Sequence, residues 1–249
     1  MSDEKKEIAA GSESEAAEQT KKKGLLSENA VEVLVAIFLG ITALLTAWAS
    51  WIGSLHGGNQ STNYTKSNNT AAQGNSEYNE GFQENLSDEL VWNTYNEYCY
   101  ELDIAEANGE EKTAAILEEK IDNYIAENGS ENLQQAFDTM DKEPDKYASP
   151  FEVPGMVESY YEHANELLDE SQKLLEEGQK DNANGDAYNL VNVIYSVVLF
   201  LLGIVGVFKR LPNRKAVLCI AVICLIATTV YMFTIPMPTG FSMSSFFKH

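Results

Sequence analysis

Apolar residues gather in three blocks along this chain, and the polar stretches between them carry apolar side chains at helical spacing. The first block runs from Val31 to Leu55, and Val33 to Ile52 contains no charged residue. The second runs from Leu190 to Phe208 and the third from Ala216 to Pro236. About 20 apolar residues in a helix cover a hydrocarbon core of ~30 Å. The pattern therefore predicts transmembrane helices over 31–55, 190–208 and 216–236. Trp48 and Trp51 lie near one end of the first block, where an interfacial aromatic belt is expected, and Glu32 at the other end reaches water.

Residues 56–76 are rich in Gly, Asn, Ser and Thr and read as a flexible linker. From Glu77 to Ala107, Phe82, Leu86, Leu90, Val91, Tyr95, Tyr98 and Leu102 recur near helical spacing. Asn108-Gly109 ends that stretch. A second helix is predicted over Glu110–Glu127, with Ile116, Leu117, Ile121, Tyr124 and Ile125 inward, and Asn128-Gly129 closes it. Ser130 is placed to cap a short helix carrying Leu133, Phe137 and Met140. Pro144, Pro150 and Pro154 make an irregular crossing, and a last helix starts near Gly155 with Met156, Tyr160, Ala164, Leu167, Leu168 and Leu174 on one face. Asn182-Ala183-Asn184-Gly185 is expected to interrupt it. No strand-like alternation competes. The expected fold is an all-α integral membrane protein: three transmembrane helices plus an extracytoplasmic helical bundle or long helical hairpin over 77–188.

Within the spans, small residues predict a packing seam. Ala36, Gly40, Ala43, Ala47, Ser50 and Ser54 follow one face of the first span at alternating spacings of four and three, the heptad period of a left-handed crossing. In lipid, helices associate through close backbone approach at small residues and through polar contacts. Asn189, Asn192, Ser196, Gly203 and Gly206 form a matching face on the second span, so Ser50 and Ser54 are expected to meet Asn189 and Asn192. The alternative is that this polar face lines an oligomeric pore. No ionisable residue lies deep in a span, which argues against an ion or proton pathway.

Charge supplies the orientation. Lys21, Lys22 and Lys23 precede the first span, and Lys209, Arg210, Arg214 and Lys215 fill the 209–215 loop around Pro212. Only Lys66, Lys180 and Lys248 lie near the membrane on the other side. The positive-inside rule then places the N-terminus and the 209–215 loop in the cytoplasm and the 237–249 tail outside. Residues 1–27 have almost no large apolar side chains and read as a disordered cytoplasmic tail. Ala47-Trp48-Ala49 resembles a cleavage site, but the apolar run continues past it, so the first span is read as retained.

The net charge of −21 is concentrated in the middle of the chain. Between His56 and Tyr188 stand 30 Asp and Glu against 7 Lys and no Arg, about −23. Such a surface excludes nucleic acid as a partner and attracts cations or a basic partner. The partners expected are the lipid bilayer, a basic or cationic extracytoplasmic partner, and further copies of this chain. Catalytic motifs are lacking: there is no phosphate-binding Gly-rich loop, Cys–His pair or serine-nucleophile signature. His163 and Glu166 stand three apart on a helix, but a di-iron bundle needs a second such element. No metal or cofactor is expected. Cys219 and Cys224 fall in the third span, and Cys99 alone in the external segment is a candidate for an intermolecular disulfide. Asn59, Asn63, Asn68, Asn85 and Asn128 begin Asn-x-Ser/Thr triplets, glycosylation acceptors in a eukaryotic secretory pathway.

The segments Gly40-Ile41-Thr42-Ala43 through Trp51 and Ala187-Tyr188 through Gly203-Ile204, in this order of parts, resemble a loose group of uncharacterised prokaryotic three-span membrane proteins with a helical external segment. The resemblance implies a bacterial or archaeal cytoplasmic membrane and brings no activity with it. The function expected is non-enzymatic: interaction, scaffolding or sensing through the acidic segment. A small oligomeric channel or transport accessory is the alternative, and a membrane enzyme the third reading.

Overall fold

The computed structural model describes residues 28–144, 146–210 and 212–241. The Lys21, Lys22 and Lys23 cluster, the 1–27 tail and residues 242–249 of the C-terminal tail lie outside them. The described residues are all-helical, without a strand. In order they form α1 (Glu28–Asn108), α2 (Glu111–Asn128), α3 (Glu131–Lys142), a 3-10 turn (Pro150–Glu152), α4 (Met156–Ser159), α5 (Glu162–Val207) and α6 (Arg214–Met232). Three of these, α1, α5 and α6, contain stretches long and apolar enough to cross a membrane. The chain divides into two compact units, 1–61 with 179–249, and 62–178.

Two expectations about breaks are corrected. Residues 56–76 belong to α1, which runs without interruption through Asn108, and Asn182-Ala183-Asn184-Gly185 lies within continuous α5. Glycine costs a helix about 1 kcal/mol relative to alanine, so something must offset it. In the 62–178 unit the offset is close packing. Ser67, Gly74, Gly81 and Asp88, each seven residues from the next, are all buried on one face of α1. A Cβ on Gly74 would come within 3.0 Å of the Leu168 side chain and 3.2 Å of the Ala164 carbonyl oxygen. One on Gly81 would lie 2.0 Å from the Tyr160 carbonyl oxygen, and one on Gly178 would lie 2.5 Å from the Tyr64 ring. Of the three glycines in 56–76, Gly74 makes such a close approach, while Gly57 and Gly58 face open space.

The remainder of this unit folds around Val91, Ile125, Leu133, Ala136, Met156 and Tyr160. Asn108 and Asn128 end α1 and α2 as expected, with Gly109 at φ +74° providing the left-handed turn after α1. Ser130 caps α3, its Oγ accepting the Leu133 N–H at 3.1 Å. The last long helix starts later than expected, because α4 is a single turn and α5 begins at Glu162. Of the apolar face expected on 77–107, Val91 is buried, while Phe82, Leu86 and Leu90 are exposed.

In the other unit, α1, α5 and α6 pack through Val31, Val35, Ala49 and Ile52 on α1, Tyr188, Val191, Tyr195, Val198, Leu202 and Val205 on α5, and Leu218, Ala221, Leu225 and Met232 on α6. The expected small-residue seam is corrected here. Ala36, Gly40, Ala43, Ala47, Ser50 and Ser54 are all exposed, as are Asn189 and Ser196. Asn192, Gly203 and Gly206 are half-buried, and only a Cβ on Gly206 would meet a neighbour, Val35 at 3.4 Å. The helix pair meets on a different face, where Gly53 faces Tyr188 and Gly185 faces His56. Both stripes of α1 share the seven-residue period. The buried one carries Val35, Thr42, Ala49 and His56, with Val35 against Gly206 and His56 against Tyr188.

At the far end of α5 and α6, the basic loop is tied to the unit. Lys209 Nζ lies 2.9 Å from Glu32. Arg214 is buried, and its Nε donates to the Val205 carbonyl at 2.8 Å, satisfying an acceptor at the C-terminus of α5.

Glycine substitutions should separate open from packed positions. Nothing lies within 4 Å of a Cβ on Gly57, so Gly57→Ala should raise stability by up to about 1 kcal/mol. Gly81→Ala forces α1 away from the Tyr160 backbone and should lower stability by about 1–3 kcal/mol. Chemical denaturation of the two variants in detergent, compared with the wild-type chain, should give shifts of opposite sign.

Candidate functional site

Three buried polar knots hold the long helices, and none of them was singled out from the sequence. The first joins three elements at the end of the spans away from the basic loop. His56, on the buried stripe of α1, is 1% exposed and Asp181 on α5 is 7% exposed. His56 Nδ1 lies 2.7 Å from Asp181 Oδ1, and His56 Nε2 lies 3.1 Å from the carbonyl oxygen of Pro236, in the segment after α6. The Tyr188 ring stacks on the imidazole with centroids 5.8 Å apart. Next to it, Asn59 Nδ2 donates to the carbonyl and hydroxyl oxygens of Thr239, both at 3.1 Å. Phe241 closes the segment edge-on against Trp48 and Trp51. Residues 233–241 thus form a strap over the end of the first span, rather than leading directly into a tail.

The second knot is a reciprocal serine pair. Ser67 Oγ donates to the Ser171 carbonyl and Ser171 Oγ to the Ser67 carbonyl, each at 2.9 Å. Small hydroxyls satisfy one another across the closest part of the helix pair, where a larger polar group would not fit.

The third knot is Asp88, 1% exposed on α1. Its Oδ1 accepts the Ser130 N–H at 2.9 Å, and its Oδ2 accepts from the Ser130 hydroxyl and from the Tyr160 hydroxyl, the latter at 2.5 Å. A buried carboxylate needs this many donors to offset its lost hydration. The same Ser130 caps α3, so Asp88 fixes the start of α3 and, through Tyr160, the segment preceding α5. Burial, followed by the hydrogen bond and negative charge of Asp88, pushes the Tyr160 phenol well above its ordinary value.

Candidates for chemistry are dispersed. His163 and Glu166 are exposed, with Nδ1 and Oε2 3.7 Å apart, and no group of three metal-ligating side chains occurs among the described residues. Cys99 and Cys224 are half-buried and Cys219 is exposed, all as free thiols. The glycosylation candidates lie within helices: Asn59 is engaged with Thr239, Asn128 Nδ2 donates to Tyr124, and the Asn85 amide oxygen is buried. Among surface features the most prominent is on α1, where Tyr78, Phe82, Leu86 and Leu90, spaced four apart, are 42% to 68% exposed. Glu80, Glu84, Glu89 and Glu97 are exposed on the same stretch.

The sequence held one signal for the knots: a histidine and an aspartate interrupting apolar heptad positions. With the pairing of helices unknown, that signal had no partner. No protein-family model, no curated protein and no solved structure matches this chain.

The Asp88 knot has a testable pH signature. The phenol of Tyr160 is raised in the folded state, so its contribution is complete below the unfolded value of about 10 and is lost as pH rises beyond it. Tyr160→Phe should cost about 1.5–3 kcal/mol at neutral pH, the range for a hydrogen bond to a charged group. Thermal melts of wild type and variant should converge as the pH is taken above about 10.

Proposed function

We propose that this chain is a non-enzymatic, multi-pass membrane protein whose acidic helical segment docks a basic, amphipathic polypeptide segment. The observation that carries the proposal is the Tyr78–Phe82–Leu86–Leu90 stripe. It sits outside the apolar stretches, in water, where contiguous exposed apolar surface marks an interaction site. Exposed carboxylates surround it, on a segment with about −23 net charge. A second copy docking there would set carboxylate against carboxylate. A helix with an apolar ridge flanked by Lys and Arg would meet complementary surface on both counts. In this reading the stripe and the acidic segment are extracytoplasmic, and the Lys209, Arg210, Arg214 and Lys215 loop is cytoplasmic. The membrane is a prokaryotic cytoplasmic one.

The second reading is an oligomeric channel or transport accessory. It rests on Asn189 and Ser196, exposed on α5, and on the Asn192 amide oxygen, buried without a hydrogen-bond partner. Polar groups facing lipid are costly, and a neighbouring copy would relieve that cost. Conductance in reconstituted bilayers that changes on Asn192→Leu would favour it.

A photocrosslinking residue at position 82, 86 or 90 of the full chain, in its own membrane, separates the readings. Docking predicts crosslinks from all three positions to one Lys/Arg-rich helical segment, lost in the triple variant Phe82→Ser, Leu86→Ser, Leu90→Ser. Crosslinks to a second copy of this chain, or to lipid alone, would reject it.

A further inference from the structure

The closed strap at residues 233–241 needs a proton that a neutral histidine beside a carboxylate does not supply. His56 Nε2 faces the Pro236 carbonyl oxygen at 3.1 Å, and a carbonyl only accepts, so Nε2 carries hydrogen. His56 Nδ1 faces Asp181 Oδ1 at 2.7 Å, so a proton must lie between these two atoms as well. Either the ring is an imidazolium against a carboxylate, or a neutral ring accepts from a protonated Asp181. Both arrangements hold the same number of protons, one more than neutral imidazole plus carboxylate.

We propose that the His56–Asp181 pair is a proton-held latch that closes the 233–241 strap onto α1 at the end of the first span. When the extra proton leaves, one of the two contacts becomes lone pair against lone pair. The charge-assisted bond to the carboxylate is the stronger of the two, so Nδ1 keeps its hydrogen and the Pro236 carbonyl is released. The closed state binds the additional proton, and lowering the pH therefore favours closing.

The surroundings isolate this pair. Tyr188 stacks on the ring from α5, and the other ionisable groups of that helix nearby, Lys180 and Asp186, are exposed. Between Val33 and Thr65, α1 carries no charged residue apart from His56, and 216–241 carries none. His56 and Asp181 are both more than nine-tenths buried, and among the described residues no other charged side chain is bonded to either. The strap is also held by Asn59 on Thr239, by the Tyr188 hydroxyl on the Met237 sulfur at 3.9 Å, by Ile235 in the apolar core and by Phe241 against the two tryptophans. Opening is therefore a local release around Pro236 rather than full detachment.

Asp181→Asn is the decisive variant. An asparagine amide can donate to Nδ1 of a neutral ring, which leaves Nε2–H on Pro236 and keeps both bonds without the additional proton. The experiment places a fluorine-19 label at the exposed Thr234→Cys, with Cys99, Cys219 and Cys224 replaced by alanine, in the full chain in lipid nanodiscs. The wild-type pair should show an open-to-closed ratio that rises with pH, by at most about tenfold per pH unit, the slope of one proton. The Asp181→Asn chain should remain closed throughout. Nitrogen-15 spectra of the His56 ring should show both nitrogens bearing or sharing hydrogen when the strap is closed. A label signal that does not change with pH, or one that changes equally in Asp181→Asn, would overturn the latch. So would a His56 ring with one bare nitrogen and an ionised Asp181 in the closed strap.

Discussion

Close backbone contact between α1 and α5 is the constraint on which the rest of the structure depends. At Gly74 and Gly178 on one unit, and at Gly53 on the other, an added Cβ would come within 3.2 Å of the facing helix, and at Gly81 it would meet the Tyr160 backbone just before α5. Packing at this distance explains why glycines persist inside helices that pay for them in propensity. It also explains the small hydroxyls where Ser67 and Ser171 meet. Ser67 and Ser171 reach each other's carbonyls because neither has a longer side chain to accommodate.

Close packing also decides which polar groups can be buried. Asp88 is tolerated because Ser130 and Tyr160 supply donors from two other segments. His56 is tolerated because Asp181 and the Pro236 carbonyl flank both of its nitrogens. Each knot joins parts of the chain distant in sequence, so each converts a generic helix pair into one register. Losing a single partner leaves a buried group without hydration or hydrogen bond, which costs more than the bond itself contributes. The apolar stripe of Tyr78, Phe82, Leu86 and Leu90 is the converse case: large side chains at helical spacing that remain exposed, with Tyr78 resting on the Tyr161 ring at 4.7 Å. Spacing alone had marked Phe82, Leu86 and Leu90 as core. They are exposed because the buried face of α1 carries Gly81, against Tyr160, and Asp88, against Ser130 and Tyr160, instead.

Several features were legible in the sequence by itself. Three apolar stretches of membrane-crossing length, helix throughout, the stops at Asn108 and Asn128 and the Ser130 cap all follow from local rules: hydrocarbon thickness, periodicity, and the satisfaction of helix ends. Tertiary structure alone decided the rest. Whether 56–76 is a linker or a helix depends on the facing α5, which His56 and Ser67 bond and Gly74 packs against. Two stripes of α1 have the same seven-residue period, and which of them is buried depends on the shape of α5. His56 and Asp181 stand 125 residues apart, and their pairing exists only once the helices are in register. Local propensity reads one segment at a time, whereas burial and hydrogen-bond satisfaction are properties of two segments together.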